Sequence, residues 1–310
     1  MLSKDLISMA DLSAEDIWRL TRAALALKAQ KDDGEPLKGQ SLALLFEKPS
    51  LRTKVSFDVA MWQLGGHSIY LSPAEVGIGE REGVEDVAQV LSRMVSGIAA
   101  RTFTHSTVEL LARHATVPVI NALSDREHPC QALGDFLTIQ ELKGEVPDLS
   151  IAYVGDANNV ANSLLYLSAT VGLDFRIASP RGYTLDDGAL NKAGDMAMSS
   201  GAKITCTQDP REAVKGAHVV YADVWTSMGQ EAQREDRQRA FQSYQVDEAL
   251  MRAAREDAIL MHPLPAHHGE EVAQGILYSP QSVVFHQAEN RLHAQKALLL
   301  ELLGGRRGQA

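Results

Sequence analysis

Cysteine is nearly missing from the 310-residue chain: Cys130 and Cys206 are the only two. Two cysteines cannot build a disulfide framework, and without a CxxC pair they do not form a structural zinc motif. That scarcity points to a reducing compartment. Apolar runs of about 18 residues are missing too, so no membrane span is expected. The opening residues Met1-Leu2-Ser3-Lys4-Asp5 do not begin a charged segment followed by an apolar core, so no signal peptide is expected. These absences predict a cytoplasmic protein. Basic residues are in deficit, 30 Lys+Arg against 40 Asp+Glu, for a formal net charge of −10. That sign argues against broad binding to nucleic acid or to an anionic membrane, but leaves room for a small basic pocket.

What the chain does have is alternation. Short β-rich apolar runs at 41–46, 67–71, 97–103 and 117–120 are followed by a second series at 150–154, 174–178, 203–206, 218–222, 258–261 and 282–285. Helical patterns lie between them. In 84–95, for example, Val84, Val87, Ala88, Leu91, Met94 and Val95 fall on one face. Strands that read as continuous apolar runs suit a parallel sheet covered on both faces, so the expected class is α/β with doubly wound parallel sheets. The polar, Gly- and Pro-containing stretch Leu142-Lys143-Gly144-Glu145-Val146-Pro147-Asp148 separates two halves of about a domain's length each. Residues 288–303 read as a terminal helix, with a Gly/Arg/Gln-rich tail after it that should fray.

Five segments carry possible chemistry. Ser50-Leu51-Arg52-Thr53 follows a strand and opens a helix; unpaired N–H groups, two hydroxyls and a guanidinium there suit a phosphate, although Ser50 is equally what an N-cap requires. Glu127-His128-Pro129-Cys130-Gln131 lies between a strand and a helix expected over 132–142, and nothing marks Cys130 as an activated thiolate. Gly155-Asp156-Ala157-Asn158-Asn159 keeps only the first glycine of a dinucleotide fingerprint, which leaves a helix cap or contacts to a small zwitterion. Asp223 ends a strand and precedes Ser227-Met228-Gly229; the carboxylate suits an ammonium group. Met261-His262-Pro263-Leu264-Pro265-Ala266-His267-His268 is restrained by two prolines; its histidines invite a metal, but no carboxylate or Cys completes a recognisable ligand spacing. Its backbone carbonyls suit an –NH₂ group.

Taken together and in order, these segments, with Arg101 and Arg291, resemble the aspartate/ornithine carbamoyltransferase family over almost the whole chain, and within it the ornithine branch. The resemblance implies a carbamoyl-phosphate domain (residues 1–143 with the helix in 288–310), an ornithine domain (144–287), and a trimer or an assembly of trimers. It implies transfer of the carbamoyl group of carbamoyl phosphate to the δ-amine of L-ornithine, giving L-citrulline and phosphate, with either direction of arginine metabolism left open. Ser50, Leu51, Arg52, Thr53 and Arg101 would bind carbamoyl phosphate. His128 would polarise the carbonyl with Thr53, Arg101 and Arg291, as an oxyanion-type site. Gln131 and the carbonyls of Pro263 and Leu264 would hold the –NH₂. Arg101, His128, Gln131, Arg291 and Pro263 count as the catalytic positions. Asn159, Asp223, Ser227 and Met228 would bind ornithine. An alkylamine with a pKa near ~10.4 is neutral in only about one molecule in 10³ near neutral pH, so the site should favour the neutral form, with the departing phosphate as proton acceptor. No cofactor or metal is required.

Ala266 stands where the aspartate enzymes have Arg, and Asp223 would repel aspartate, so ornithine is favoured. Two positions depart from the ornithine branch: Pro263 replaces a usual Cys, and Gly77 aligns with a usual Gln, so that either Arg81, Glu75 or water substitutes for it or carbamoyl-phosphate binding is weaker. The other readings are a transcarbamylase for another amine, a non-catalytic carbamoyl-phosphate binder, and a nicotinamide oxidoreductase, against which the missing glycines count.

Overall fold

The computed structural model describes residues 4–29, 34–79, 81–144 and 149–304. The polar stretch at 145–148 and the tail at 305–310 lie outside the described residues. The chain divides into two compact units, residues 1–141 with 289–310, and residues 142–288. Among the described residues no helix is long and apolar enough to cross a membrane.

The first unit begins with α1 (Ala14–Ala29), β1 (Ser41–Phe46), α2 (Leu51–Gln63), β2 (His67–Leu71) and α3 (Pro73–Val76). It continues with α4 (Val84–Ser92), β3 (Gly97–Arg101), α5 (His105–His114), β4 (Val119–Leu123) and α6 (Pro129–Lys143). The sheet order is β2-β1-β3-β4, parallel throughout. Every residue of β1 and β3 is buried, which is why both read as unbroken apolar runs. The edge strand β2 has no fully buried residue and opens on the polar pair His67-Ser68.

The second unit contains β5 (Ser150–Val154), α7 (Asn159–Val171), β6 (Asp174–Ala178), α8 (Asp187–Ser200), β7 (Ile204–Thr207) and α9 (Pro210–Val214). After these come β8 (Val219–Ala222), α10 (Arg234–Phe241), α11 (Glu248–Met251) and β9 (Ile259–Met261). Its order is β7-β6-β5-β8-β9, again all parallel. In each sheet the chain winds outward one way from its first strand, then returns to the other side. The reversals fall between β1 and β3 and between β5 and β8. Loops leaving the carboxyl ends of strands at such a switch point open a crevice where ligands bind.

The last helix, α12, runs Val284–Leu303. From Glu289 onward it belongs to the first unit, where Asn290 donates to Thr138 Oγ1 at 3.0 Å and Arg19 pairs with Glu301. Gly134 on α6 makes room for it: a Cβ there would lie 3.3 Å from the backbone N and Cα of Arg291.

Several sequence boundaries shift. The strand expected at 282–285 does not form; Ser282 makes one bridge to Leu260, and Val284 opens α12. The strand expected at 117–120 begins only after Pro118, which lacks an N–H for the ladder, and it continues through Asn121. Asn121 is tolerated inside because its amide donates to Ile7 O at 2.9 Å. The run expected at 97–103 stops at Arg101, where the register with β4 slips by one residue. The helix expected at 132–142 starts at Pro129, whose missing N–H costs nothing at a first helical position.

Candidate active site

In the first unit, β1, β3 and β4 each deliver functional residues from a carboxyl end. Ser50 is extended (φ −155°) and caps α2, its hydroxyl accepting from Thr53 N at 3.4 Å. The cap and anion readings are therefore compatible, because the same turn carries Arg52 and the buried Thr53. Leu51 points outward, 73% exposed, so only its backbone faces this turn. Arg101 is the last residue of β3, in register with Phe46 at the end of β1. Burial, then Arg291 and Arg52, push its pKa down to about 10. Arg291 enters from α12 and donates to Thr53 Oγ1 at 2.5 Å.

His128 sits just before α6, buried. Burial holds its imidazole well below the ordinary value, and the charges of Arg291, Arg101 and Arg52 push in the same direction. The ring is neutral at physiological pH. Gln131, in the first turn of α6, donates Nε2 to Asp135 Oδ1 at 2.8 Å, while its buried Oε1 has no hydrogen-bond partner among the described residues. Arg52, Thr53, Arg101, His128 and Arg291 are thus one electrostatic and hydrogen-bonded group. Cys130 is no nucleophile: it is buried, and its thiol is pushed up to about 12.

Gly77, Glu75 and Arg81 form a local structure of their own. Glu75 closes a capping box on Ser72, Gly77 ends α3 in the left-handed region (φ 55°), and Arg81 donates to Glu75 O at 3.1 Å. A glutamine at 77 would be strained there. Neither side chain named as a substitute for it is idle: Glu75 holds its own cap and Arg81 the helix end.

In the second unit the turn after β5 and the loop after β8 meet at the switch point. The two asparagines divide the work. Asn158 caps α7, its Oδ1 accepting from Val160 N and Ala161 N, and its Nδ2 donates to Asp223 Oδ2 at 2.7 Å. Asn159 is the first helical residue and half-buried. Asp223 is buried, and burial raises its pKa, with His262 and the Asn158 hydrogen bond opposing. Further along this loop, Ser227 is half-buried, Met228 is 49% exposed, and Gly229 takes φ 93°.

After β9 comes His262, with Pro263, Leu264 and Pro265. Leu264 adopts φ 54°, rare for a residue with a side chain. Its N–H donates to His262 Nδ1 at 2.9 Å, and His262 Nε2 faces Glu271 Oε1 at 3.2 Å. An accepting Nδ1 fixes the proton on Nε2, so Glu271 sets the tautomer that holds this turn. The carboxylates absent from the metal-spacing argument are Glu270 and Glu271, which with His267 place one ligand atom each within 4.8 Å of one another. Both already have protein partners: Arg234 for Glu270, His262 for Glu271.

Sequence reading missed Asp135, Glu271 and Arg237, and it offered the cap reading without saying that Asn158 would be the cap. Asp135 was findable, since it lies four residues after Gln131 on one helix face. Asn158 and Asn159 were indistinguishable until the helix start was known. Nothing in sequence links Glu271 to His262 or Arg237 to a turn eighty residues earlier.

The chain belongs to the aspartate/ornithine carbamoyltransferase family: the family's carbamoyl-P binding domain matches residues 4–141 and its Asp/Orn binding domain residues 147–302. It is an enzyme of that class. Within the family it is similar to proteins named ornithine carbamoyltransferase. The one from Thermus thermophilus is 52% identical over 302 residues, 97% of each chain. That from Anoxybacillus flavithermus is 50% identical over 303 residues, 97% of this chain and 96% of the relative. The solved ornithine carbamoyltransferase of Pyrococcus furiosus superposes with a TM-score of 0.94 at 47% identity, covering 98% of both chains.

Proposed function

We propose that the chain transfers the carbamoyl group of carbamoyl phosphate to the δ-amine of L-ornithine, giving L-citrulline and phosphate. The observation that carries this reading is the grouping of Arg52, Arg101 and Arg291 about a buried, neutral His128. Three permanent positive charges suit a phosphate dianion, and a neutral imidazole can donate to a carbonyl oxygen without being an acid itself.

Ser50, Leu51 through its backbone, Arg52, Thr53 and Arg101 bind the phosphate. His128, Arg101, Thr53 and Arg291 stabilise the oxyanion as the amine nitrogen bonds to the carbamoyl carbon. Collapse of that intermediate breaks the carbon–oxygen bond to phosphate, and the leaving phosphate takes the amine's proton. Gln131 Oε1 accepts from the carbamoyl –NH₂, its partner Nε2 being committed to Asp135. The carbonyls of Pro263 and Leu264 are acceptors for an –NH₂ group. Asn159, Asp223, Ser227 and the Met228 backbone take the amino acid. Asp223 is a buried carboxylate, and it selects a cationic or amine-bearing substrate over a second carboxylate. Pro263 provides no thiol, so lowering the proton affinity of the amine falls to desolvation.

The enzyme is a cytoplasmic homotrimer, or an assembly of trimers, in this reading. The exposed residues Leu51, Val55 and Trp62 along α2 supply an apolar face for a second copy. The test is phosphate release from carbamoyl phosphate with ornithine, putrescine, acetylornithine, lysine and aspartate, with the carbamoylated product identified. Turnover selective for ornithine supports the reading. Turnover with another amine replaces the substrate, and none with any of them overturns the function.

A further inference from the structure

Arg237 lies on α10, the most polar helix of the second unit, where sequence suggests a solvated face. The structure puts it inside: it is only 6% exposed. Its Nη1 donates to Asp156 Oδ2 at 2.8 Å and to Trp225 O at 2.9 Å. Its Nε donates to Gln233 Oε1 at 3.2 Å, and its guanidinium lies 4.9 Å from the ring centroid of Tyr183. Tyr183 in turn accepts from Ala157 N through its own carbonyl, at 3.1 Å.

Asp156 belongs to the turn after β5 that leads into Asn159. Trp225 belongs to the loop after β8, between Asp223 and Ser227. One buried guanidinium therefore bonds to both amino-acid-binding loops at once, from a helix whose Phe241 stacks on Trp225 of one of them and which reaches the turn of Asp156 through Arg237. Burial lifts Asp156 to about 6, and Arg237 acts against that rise, which keeps the carboxylate available as its partner.

We infer that Arg237 is a positioning residue for the amino-acid substrate, holding the loop of Ser227 and Met228 in register with the turn of Asn159. This rests on the function proposed above. Planarity matters here: a single donor atom serves two acceptors from different loops while the ring face of Tyr183 fixes the plane, and lysine cannot reproduce that. Interactions equally present before and during the reaction act on KM rather than kcat.

The test is steady-state kinetics of Arg237→Met, Arg237→Lys, Asp156→Asn and the Asp156→Asn/Arg237→Met double variant, with amide hydrogen exchange of residues 224–229. In Arg237→Met the ornithine KM should rise about ten-fold or more, with kcat within about three-fold and the carbamoyl phosphate KM unchanged. Arg237→Lys should fall between it and the parent. The double variant should be no worse than Arg237→Met, because the two residues act as a pair. Exchange at 224–229 should quicken in Arg237→Met while the strands keep their protection. A parental ornithine KM in Arg237→Met overturns the inference. So does an equal rise in both KM values with a general loss of protection, which marks a purely structural residue. If Arg237→Met does not fold, Arg237→Lys and Asp156→Asn carry the same comparison. A parent enzyme without ornithine turnover overturns the proposed function instead, and the inference is then decided by exchange: unchanged protection at 224–229 in the variants overturns it.

Discussion

Gln131 donates its amide to Asp135 one helical turn later, and that one bond fixes which end of the side chain is left over. An amide offers a donor and an acceptor of nearly the same shape, so without a partner it can present either. Asp135, fully buried, takes the donor at Oδ1 and leaves Gln131 Oε1 as the free acceptor. Asp135→Asn keeps the shape but offers donor and acceptor alike, so Gln131 can rotate and present the wrong end. The expected result is an increase of about ten-fold in the carbamoyl phosphate KM, the equivalent of ~1.4 kcal/mol for one charge-assisted hydrogen bond. Kinetics at fixed ornithine, with a melting curve to show that the variant folds, would check it. An unchanged KM means that the orientation is set by something else.

The depressed pKa of His128 has a consequence for stability. In the unfolded chain this histidine takes up a proton near pH ~6.5, whereas the folded ring resists it until well below that. Between those two values the unfolded chain binds more protons, so stability falls as pH drops through 6.5 and continues to fall down to the folded pKa. Above 6.5 both states are neutral and His128 contributes no slope. His128→Gln should remove its share of the slope: the loss of melting temperature from pH 7 to pH 5 should be smaller in the variant than in the parent. Parallel curves would show that His128 titrates normally.

Much of this was legible in sequence, for physical reasons. Fully buried strands such as β1 and β5 leave unbroken apolar runs, and the loops after them begin with the residues the site uses. Asp223 was locatable because it directly follows such a run, and Ser50 and His128 because each lies between a strand and a helix. What could not be read was tertiary. The sequence Ser282-Val283-Val284-Phe285 has the propensity of a strand, but Val284 and Phe285 open a helix whose later turns are claimed by the first unit. Arg237 looks like any other charge in a charged helix, since its burial depends on partners from two distant loops. Propensity is local, and these outcomes were decided by non-local contacts.

Two mid-helix glycines make the same point as an experiment. Gly134 in α6 and Gly194 in α8 look alike in sequence, and in an open helix alanine is favoured over glycine by ~1 kcal/mol. Around Gly194 nothing lies within 4 Å of a new Cβ, so Gly194→Ala should stabilise the protein by about 0.5–1 kcal/mol. Around Gly134 the new methyl would meet Arg291 at Cγ (3.1 Å) and at backbone N and Cα (3.3 Å). Backbone cannot swing aside, so α12 must shift and carry Arg291 with it. Overpacking of this kind costs ~1–3 kcal/mol, which exceeds the propensity gain. Gly134→Ala should therefore melt lower than the parent. It should also raise the carbamoyl phosphate KM, because the displaced guanidinium is the one bonded to Thr53. Melting curves and carbamoyl phosphate titrations of the two variants side by side would check both signs. Stabilisation by both substitutions would mean that α12 is free to move away from α6, and that the close approach at Gly134 does not place Arg291.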